Sequence, residues 1–338
     1  MTKPTVSMIV SNINGVQLNL IGACINFLIK PGYPNWELIV VDNASTDDSV
    51  KYLNKRFKNY KNCIVLENPI NMYSQGLNLG AEKATGKYLA YFNNDVAITK
   101  TYLNNLVKEF EKDKKLAIAQ GKLLNYTDHK KIDSAGESMD IFGNPVTIGF
   151  GEIDKGQYNH VEEILSASGS ACVIRKSIFE KLGGYDPIFG IGYEDMDLAL
   201  RVRRLGYKVK RFPDAVIYHK RAATDLADFI RVKVKWHFNK NRLITMLKNY
   251  PVWLLLKSLP VTILLYQLII LYEWIIRRNW NMGRVRLTSL IWVIFHLPDI
   301  IVSRNKIKKI GAKSLSEKDY ALFSSKSLFS DFRQFLQT

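Results

Sequence analysis

The chain has 338 residues, of which 47% are hydrophobic and 12% aromatic. This composition excludes an intrinsically disordered chain, and the length predicts one large domain with appendages, or two domains. The formal net charge is +17. Residues 1–200 carry 21 Lys and Arg against 23 Asp and Glu, whereas residues 201–310 carry 23 against 5. This distribution excludes a generally basic surface and predicts that only the second part meets a polyanion.

The three cysteines, Cys24, Cys63 and Cys172, are odd in number, far apart and set among apolar residues. They predict reduced core residues and exclude a disulfide framework or a metal cluster. The first residues show no charged leader followed by an apolar run, so no signal peptide is expected. Together these features predict a reducing, cytosol-facing location for residues 1–250.

The first 120 residues alternate short apolar runs with helix-period segments, a pattern that predicts an α/β sheet with helices on its faces. The predicted strands are Val6–Val10, Glu37–Val41, Cys63–Leu66 and Lys87–Phe92. The predicted helices are Leu18–Leu28, a second that begins at an N-cap of Ser45 or Thr46, and Gln75–Ala84. Polar residues follow each strand. Because parallel strands end at one edge of a sheet, these residues are expected to line a common ligand crevice.

Later segments differ in character. Residues 121–224 are rich in glycine and predict loops and short strands that close over the sheet. A basic amphipathic segment, Phe229–Asn249, then leads into the apolar run Pro251–Ile276 and a shorter one, Leu287–Val302.

Two aspartates follow predicted strands. Asp42 is placed to accept hydrogen bonds from a nucleobase or ribose, or is simply the polar end of a strand. Asp95 closes the run Asn93-Asn94-Asp95. It is placed to hold a divalent cation against a diphosphate, because one or two carboxylates with phosphate oxygens suffice for Mg²⁺, although an Asx-rich turn has the same composition.

The acidic run Glu194-Asp195-Met196-Asp197 opens a predicted helix. Adjacent carboxylates repel, so the run is either a helix N-terminus compensated by the dipole or a catalytic site. The preceding glycines, Gly190 and Gly192, favour close approach of a ligand. His219, at the end of another strand-like run, is either structural or a ligand.

In this order, these segments resemble family 2 glycosyltransferases of the GT-A fold, and within them the rhamnosyltransferase-like branch. The resemblance covers about residues 4–224. The matching segments are Val6–Asn12, Val40–Asp47, Asn71–Gly80, Asn93–Asp95, Ser168–Ala171, Gly183–Asp186, Glu194–Leu198 with Arg201, and Pro213–His219. The fold that it implies is a Rossmann-like, mostly parallel sheet with helices on both faces, followed by membrane-associated helices.

The resemblance implies an inverting enzyme that moves a sugar from a nucleoside-diphosphate donor to a lipid-linked or surface-polysaccharide acceptor. Asp195 would be the general base, and Asp95 and His219 would hold Mg²⁺ or Mn²⁺ on the diphosphate. Asn93 departs from a strict Asp-x-Asp motif, in which it would be the first aspartate. The implied donor-binding residues are Ser11, Asn12, Asp42, Asn78, Asn94 and Asp95, and those for the acceptor or sugar are Gly169, Ser170 and Glu194.

The resemblance also divides the chain. Residues 1–224 would be the GT-A catalytic domain, with a nucleotide-sugar half at 1–120 and an acceptor and base half at 121–224. Residues 225–310 would be a membrane-associated helical region, and residues 311–338 a C-terminal tail.

The apolar run Pro251–Ile276 is long enough to cross a bilayer, which takes about 20 residues. Basic residues flank it on both sides, among them Lys240, Arg242 and Lys248 before it, which a single crossing does not explain. The prediction is therefore an in-plane or re-entrant hairpin on anionic lipid, with Leu287–Val302 as its second arm, at the cytoplasmic face of the membrane. One or two true spans remain the alternative.

Two other classes of protein are weighed. A nucleic-acid-binding protein would use the basic segment 208–248, but that segment adjoins an apolar run and carries no recognised binding motif, so no nucleic-acid partner is expected. A non-catalytic membrane scaffold is disfavoured by the intact Asp42, Asp95 and Asp195. The donor nucleotide, sugar, acceptor and linkage are left open.

Overall fold

The computed structural model describes residues 5–221 and 228–324. The strands in these ranges are β1 Val6–Asn12, β2 Trp36–Asn43, β3 Cys63–Asn68, β4 Tyr88–Asn93, β5 Val96–Ile98, β6 Leu116–Asn125, β7 Ile132–Ser134, β8 Glu137–Met139, β9 Pro145–Thr147, β10 Glu162–Glu163, β11 Ala171–Arg175 and β12 Lys208–His219. The helices are α1 Ile21–Leu28, α2 Ser49–Phe57, α3 Tyr73–Lys83, α4 Tyr102–Lys112, α5 Lys176–Lys181, α6 Glu194–Arg204, α7 Asp228–Asn249, α8 Val252–Ile275, α9 Trp280–Phe295, α10 Leu297–Lys309 and α11 Glu317–Tyr320.

One sheet with the order β10-β12-β6-β11-β4-β1-β2-β3 forms the centre of the molecule. The pairs β1–β2, β1–β4, β2–β3 and β6–β12 are parallel, and β11 runs antiparallel between β4 and β6. The mostly parallel sheet is therefore confirmed. Asn12 pairs with Asp42 and Ser11 with Asn93, so the ends of β1, β2 and β4 meet at one edge.

Helices cover both faces of this sheet. Alternate residues of β1 separate the two cores: Met8 and Val10 pack with α1, α2 and α4, whereas Ile9 packs with α3, α5 and α6. This period of two is what a strand buried on both faces requires. Cys24, Cys63 and Cys172 are buried and free, as predicted.

Two boundaries differ from the sequence prediction. Helix α2 begins at Ser49 rather than just after Ser45 or Thr46. The Ser45 hydroxyl donates to Asp42 Oδ1 (2.6 Å), and the Asp47 carboxylate accepts the backbone N–H groups of Val16 and Gln17 in the loop after β1. These side chains therefore stabilise loops and do not cap α2. Helix α1 begins at Ile21, three residues later than predicted.

Residues 121–224 also differ from prediction, because they are more than a cover for the sheet. Strands β11 and β12 and the second half of β6 belong to this segment and lie within the sheet itself. The short strands β8 and β9 form a separate pair.

The C-terminal helices pack against α6 and against one another. Leu200 of α6 shares one apolar core with Leu243 of α7, Tyr266 of α8, Val293 of α9 and Ile300 of α10. Helix α7 lies between α6 and the hairpin formed by α8 and α9. The predicted second arm, Leu287–Val302, is broken: α9 ends at Phe295 and α10 departs at 62°.

The predicted basic flank before the apolar run is wrong for two of its residues. Lys240 and Lys248 are almost fully buried, because both turn inward from α7 toward residues 186–197. Arg211 of the segment 208–248 is also buried and pairs with Glu162 at 2.7 Å. In the described residues this segment is therefore not a continuous basic surface.

One described helix, α8, is long and apolar enough to cross a membrane, with a mean hydropathy of 2.0 over its most apolar 18 residues, one third of which are buried. The predicted boundary at residue 224 and the last part of the tail, 325–338, lie outside the described residues. The division of the chain into domains stays a prediction.

Candidate active site

Polar side chains at the ends of β1, β2 and β4 form a hydrogen-bonded row. Asn94 Nδ2 donates to Asn12 Oδ1 (2.9 Å), and Asn12 Nδ2 donates to Asp42 Oδ1 (2.8 Å). The Ser11 hydroxyl accepts from Asn43 Nδ2 (2.9 Å). The structure thus brings four of the predicted donor-binding residues, Ser11, Asn12, Asp42 and Asn94, to one edge of the sheet.

Asn78, also predicted to bind the donor, has a different set of partners. Its Nδ2 donates to Tyr185 O (2.8 Å), and its Oδ1 accepts from Tyr185 N (2.9 Å). Both amide atoms are therefore used to tie α3 to the loop that follows α5. The structure does not place Asn78 in the hydrogen-bonded row.

Asp95 and His219 lie next to each other beyond this row. His219 Nε2 is 3.3 Å from Asp95 Oδ1, and His219 Nδ1 is 2.8 Å from Asp133 Oδ2. Burial alone would lower the pKa of His219, but the hydrogen bonds and charges of Asp133 and Asp95 raise it to about 9. The imidazole is thus held between two carboxylates.

This arrangement fits a divalent cation once Nε2 of His219 has released its proton, because a metal ligand must be the neutral imidazole. Asp133 fixes Nδ1 of His219 and leaves Nε2 facing Asp95, a pattern typical of metal-binding histidines. Two ligand atoms at right angles around Mg²⁺ are about 3 Å apart, close to the separation seen here. In residues 5–221 and 228–324, no group of three or more His, Cys, Asp or Glu is placed to hold a metal. Asp95 and His219 would therefore need phosphate oxygens or water to complete a coordination shell.

Asp195 lies in the first turn of α6 and is half-buried. Its Oδ2 accepts the backbone N–H of Gly169 (2.9 Å), and its Oδ1 accepts that of Met196 (2.7 Å). A Cβ at residue 169 would lie only 3.2 Å from Asp195 Oδ2, so a glycine lets the two segments approach. Gly169, predicted to contact sugar or acceptor, here holds the predicted base.

A short chain of contacts joins Asp195 to the strand ends. Ser170 follows Gly169, and its carbonyl accepts the backbone N–H of Asn93 (3.0 Å). The Tyr73 hydroxyl donates to Asn93 Oδ1 (2.8 Å) and lies 3.3 Å from Gly169 O. Asp95 is two residues beyond Asn93, so these contacts lead from the predicted base to within two residues of the predicted metal ligand.

Asp195 belongs to a cluster of three carboxyl groups, with Glu194 and Glu137 as the other two. Burial raises the pKa of Glu194, and the charge of Asp195 raises it further, to about 8. The same two causes raise the pKa of Glu137 to about 8. Burial also raises the pKa of Asp195, but two backbone N–H groups favour its ionised form. Near pH 7, Glu194 and Glu137 therefore retain protons, and the two backbone N–H groups favour the carboxylate form of Asp195.

Several residues of the site were missed by sequence reasoning. Tyr73 lies in the segment Asn71–Gly80 that the resemblance includes, so its position was available. Asp133 and Glu137 belong to short irregular strands and carry no motif. Arg221, which binds Asp133 through its guanidinium group, follows His219 by two residues.

The glycines before α6 have a different use from the one predicted. A Cβ at Gly190 would lie 2.8 Å from the His237 ring, and one at Gly192 would lie 2.5 Å from the Phe238 ring. Both rings belong to α7. These glycines therefore permit close packing of a helix, and the prediction that they admit a ligand is wrong.

The family described as "Glycosyl transferase family 2" matches residues 7–183 of the chain. The chain belongs to glycosyltransferase family 2. The predicted family is thus confirmed. The probable glycosyltransferase YdaM of Bacillus subtilis is 29% identical over 192 residues, which are 56% of this chain and 44% of that protein.

Other relatives of this family 2 chain have more specific names. The O-antigen chain rhamnosyltransferase RfbN of Salmonella typhimurium is 27% identical over 203 residues, covering 59% of this chain and 61% of that protein. The O-antigen biosynthesis protein RfbC of Myxococcus xanthus is 24% identical over 224 residues, covering 62% of this chain but only 17% of its own length. The chain thus spans less than two thirds of each of these relatives.

Solved structures confirm the GT-A fold. The mannosyltransferase PcManGT from Pyrobaculum calidifontis, solved with GDP-Man and Mn²⁺, superposes with a TM-score of 0.53 and 16% identity, covering 86% of this chain and 87% of that one. Residues 1–349 of S. aureus TarS, solved with UDP-GlcNAc, superpose with a TM-score of 0.52 and 14% identity, covering 94% and 84%. At these identities, the likeness shows the fold alone.

Proposed function

We propose that this family 2 chain transfers a sugar from a nucleoside-diphosphate donor to a saccharide acceptor with inversion at the anomeric carbon. The observation that carries the proposal is the Asp195 carboxyl group, held by Gly169 N–H in a chain of contacts that reaches Asn93, two residues before Asp95. The O-antigen names of two relatives support a surface polysaccharide as the product.

Asp195 would act as general base. The proton of the acceptor hydroxyl passes to the Asp195 carboxylate as the oxygen bonds to the anomeric carbon and the bond to the diphosphate breaks. Such assistance contributes roughly 10²- to 10⁴-fold to the rate. Attack from the face opposite the leaving group inverts the centre. Glu194 holds a proton near pH 7 and cannot accept another, so the two adjacent carboxyl groups have different roles.

The strand-end row would receive the donor. Asn12, Asp42 and Asn94 supply hydrogen-bonding groups for the nucleoside, with Ser11 beside them, and Ser170 lies between this row and the base. Asp95 and His219 would hold Mg²⁺ or Mn²⁺. Such a cation offsets the negative charge that develops on a leaving diphosphate. PcManGT, with GDP-Man and Mn²⁺ in a related fold, supports this part of the proposal.

The test begins with a thermal-shift screen of UDP-, dTDP- and GDP-sugars with and without Mn²⁺, followed by transfer assays on the donor that binds. Asp195→Asn is expected to lower kcat by about 10²- to 10⁴-fold while donor binding is retained. Asp128→Asn, a partly exposed aspartate outside the site that pairs with Lys131, is the matched control. Turnover at the wild-type rate in Asp195→Asn would contradict the assignment.

We also propose that the acceptor is lipid-linked and that the helices α8 to α10 rest on an anionic membrane surface. Large apolar side chains there are exposed to an extent unusual for a soluble protein. They are Val252, Trp253, Leu256, Leu264, Leu268, Leu271, Ile275, Ile276, Trp280, Ile291, Ile294, Phe295, Leu297, Ile301 and Val302. Exposed Arg277, Arg278 and Arg284 lie at the turn of the hairpin and near the start of α9.

The middle of α8 favours an in-plane position over a span. The Tyr266 hydroxyl donates to Asn239 O of α7 (2.7 Å), and the Thr262 hydroxyl lies 3.4 Å from Phe142 O in the turn between β8 and β9. Glu273 is buried and pairs with Arg277 at 3.6 Å, so its charge is turned away from the exposed face. Because the middle of α8 packs against α7 and the turn between β8 and β9, only one side of α8 can face lipid.

Flotation with vesicles of zwitterionic or anionic phospholipid tests this position. Wild type is expected to float, more strongly with anionic lipid, and Leu256→Glu combined with Phe295→Glu is expected to remain in solution. Val161→Glu, an exposed apolar residue elsewhere, is the control and should float as wild type. Equal flotation of all variants would contradict the proposal that α8 to α10 bind the membrane. Protease protection of a C-terminal tag in sealed vesicles would contradict the in-plane position.

A further inference from the structure

The loop that leads into Asp195 has a constrained backbone. Gly190, Gly192 and Tyr193 have positive φ angles of 71°, 81° and 67°. Such a conformation is strained for a non-glycine residue such as Tyr193, so contacts from outside the loop must stabilise it. Asp195 follows Tyr193 by two residues in the first turn of α6. The position of the loop therefore determines where the Asp195 carboxylate points.

One side chain of α7 binds three carbonyl groups of this loop. Asn241 Nδ2 lies 2.8 Å from Phe189 O, 2.9 Å from Ile191 O and 2.7 Å from Gly192 O, and the side chain is fully buried. The amide nitrogen carries two hydrogens, which the three oxygens share. The reversed amide would set an oxygen against three carbonyl oxygens. Only one orientation of Asn241 is therefore compatible with the loop.

Helix α7 also binds α6 just after Asp195. Lys248 Nζ lies 2.9 Å from Asp197 Oδ2, and Asn249 Nδ2 donates to Asp197 Oδ1 (2.9 Å). Asp197 is fully buried. Together with the His237 and Phe238 rings, which fill the space beside Gly190 and Gly192, these contacts fix the chain on both sides of Asp195.

We propose that Asn241 is a positioning residue for Asp195, acting through the backbone of residues 189–192, so that α7 belongs to the catalytic unit. This inference rests on the proposed role of Asp195 as base. Asn241 touches no reacting group in this assignment. Its effect is to keep the Asp195 carboxylate in reach of Gly169 N–H and of the acceptor hydroxyl. Among the side chains that the structure describes, none of α7 donates or accepts a hydrogen bond in the strand-end row, so we expect the row to be independent of α7.

Kinetics of Asn241→Ala test this role. We expect kcat to fall about 10- to 100-fold, with the donor KM changed by less than about threefold. The acid limb of the pH profile of kcat/KM should move to higher pH, because a displaced Asp195 loses the Gly169 N–H bond that favours its ionised form. Asn239→Ala, on the same helix, removes hydrogen bonds to Lys235 O and Arg286 but none to the loop, and should keep the wild-type kcat and profile.

The possible outcomes distinguish the positioning role of Asn241 from the role of Asp195 as general base. If Asn241→Ala lowers thermal stability but leaves kcat per folded molecule and the pH profile unchanged, the positioning role is overturned. Should Asn241→Ala not fold, Asn241→Leu replaces it, because leucine has a similar volume and no donor, and wild-type kinetics in that variant overturn the role equally. Asp195→Asn is measured in parallel. Wild-type turnover there removes the base assignment itself, whereas an inactive Asp195→Asn with unaffected Asn241 variants removes only the positioning role.

Discussion

The two sides of the proposed site are held in place by different kinds of structure. On the donor side, Asn12, Asp42 and Asn94 bind one another at the ends of adjacent strands. On the base side, Asp195 lies on a loop and helix start that depend on α7, a helix outside the family match at residues 7–183. The donor edge is thus supported by the sheet, and the base by the docking of a distant helix. Changes in α7 should disturb the chemistry and stability while leaving donor binding intact.

The largest expected effect on stability is that of Lys248→Met. It leaves the mostly buried Asp186 without its cation, and it leaves the buried Asp197 with Arg201 as its remaining cation. Burial favours the neutral form of Asp186, yet the charge and hydrogen bond of Lys248 lower its pKa to about 2. Removing one partner of a buried ion pair costs about 3–5 kcal/mol. Urea unfolding at pH 7 measures this loss.

Lys208→Met is the control for that variant. Lys208 pairs with Asp113 at 2.9 Å, but both side chains are about one-third exposed. Such a pair contributes less than about 1 kcal/mol. Equal losses in the two variants would contradict the view that α7 is docked by a buried ionic contact.

Asp95→Asn tests the donor side. It removes the carboxylate proposed to face the leaving diphosphate, and kcat/KM is expected to fall about 100-fold. Initial rates across a Mn²⁺ titration, with Mn²⁺ binding followed by electron paramagnetic resonance, should show weakened metal binding. Asp48→Asn, exposed on the loop before α2, is the control. Unchanged metal dependence in Asp95→Asn would remove Asp95 from the donor side.

His237 makes the contact between α7 and the loop sensitive to acid. Burial, with the charge of Lys240, lowers the pKa of His237 to about 4. Below its usual pKa of about 6.5, an unfolded chain binds a proton that the folded chain excludes, so stability falls as the pH falls. Between pH 6.5 and 5 the loss is about 2 kcal/mol.

Urea unfolding at pH 7, 6 and 5 measures this dependence. His237→Gln should show a smaller loss than wild type over the same range, and His160→Gln, an exposed histidine, should follow wild type. Identical slopes for wild type and His237→Gln would show that His237 does not take up the proton.

The donor side could be read from the sequence because its order is local. Hydrophobic runs in the sequence predicted the positions of β1, β2 and β4. The residue that follows a buried strand lies at the edge of the sheet, and this does not depend on how distant parts of the chain pack. Asp195 was also singled out as a candidate, because three acidic residues at a helix start are conspicuous. The predicted start of α2 was wrong, because serine is a common N-cap residue but Ser45 binds Asp42 instead.

The support of Asp195 could not be read in this way. In sequence, Lys240 and Lys248 look like any lysines of a basic amphipathic helix, and Asn241 carries no motif. Only tertiary packing turns them toward residues 186–197. Likewise, the glycines at 190 and 192 indicated close approach of something, but sequence alone does not distinguish a ligand from a helix.

The smallest effect on rate is expected from Glu194→Gln, which compares two adjacent carboxyl groups. Because the pKa of Glu194 is raised to about 8, it is neutral at pH 7, and glutamine replaces it with a neutral group of similar shape. The change in kcat at pH 7 should be less than about threefold, against about 10²-fold or more for Asp195→Asn.

The same variant also has a signature in stability. A raised carboxyl pKa means that the folded chain retains a proton that the unfolded chain has lost, so the free energy of unfolding of wild type falls as the pH rises from about 4.5 to about 8. Glu194→Gln removes this dependence, and the gap between the variant and wild type should shift in favour of the variant over that range. If Glu194→Gln instead loses as much activity as Asp195→Asn, Glu194 is ionised at pH 7 and shares the work of the base.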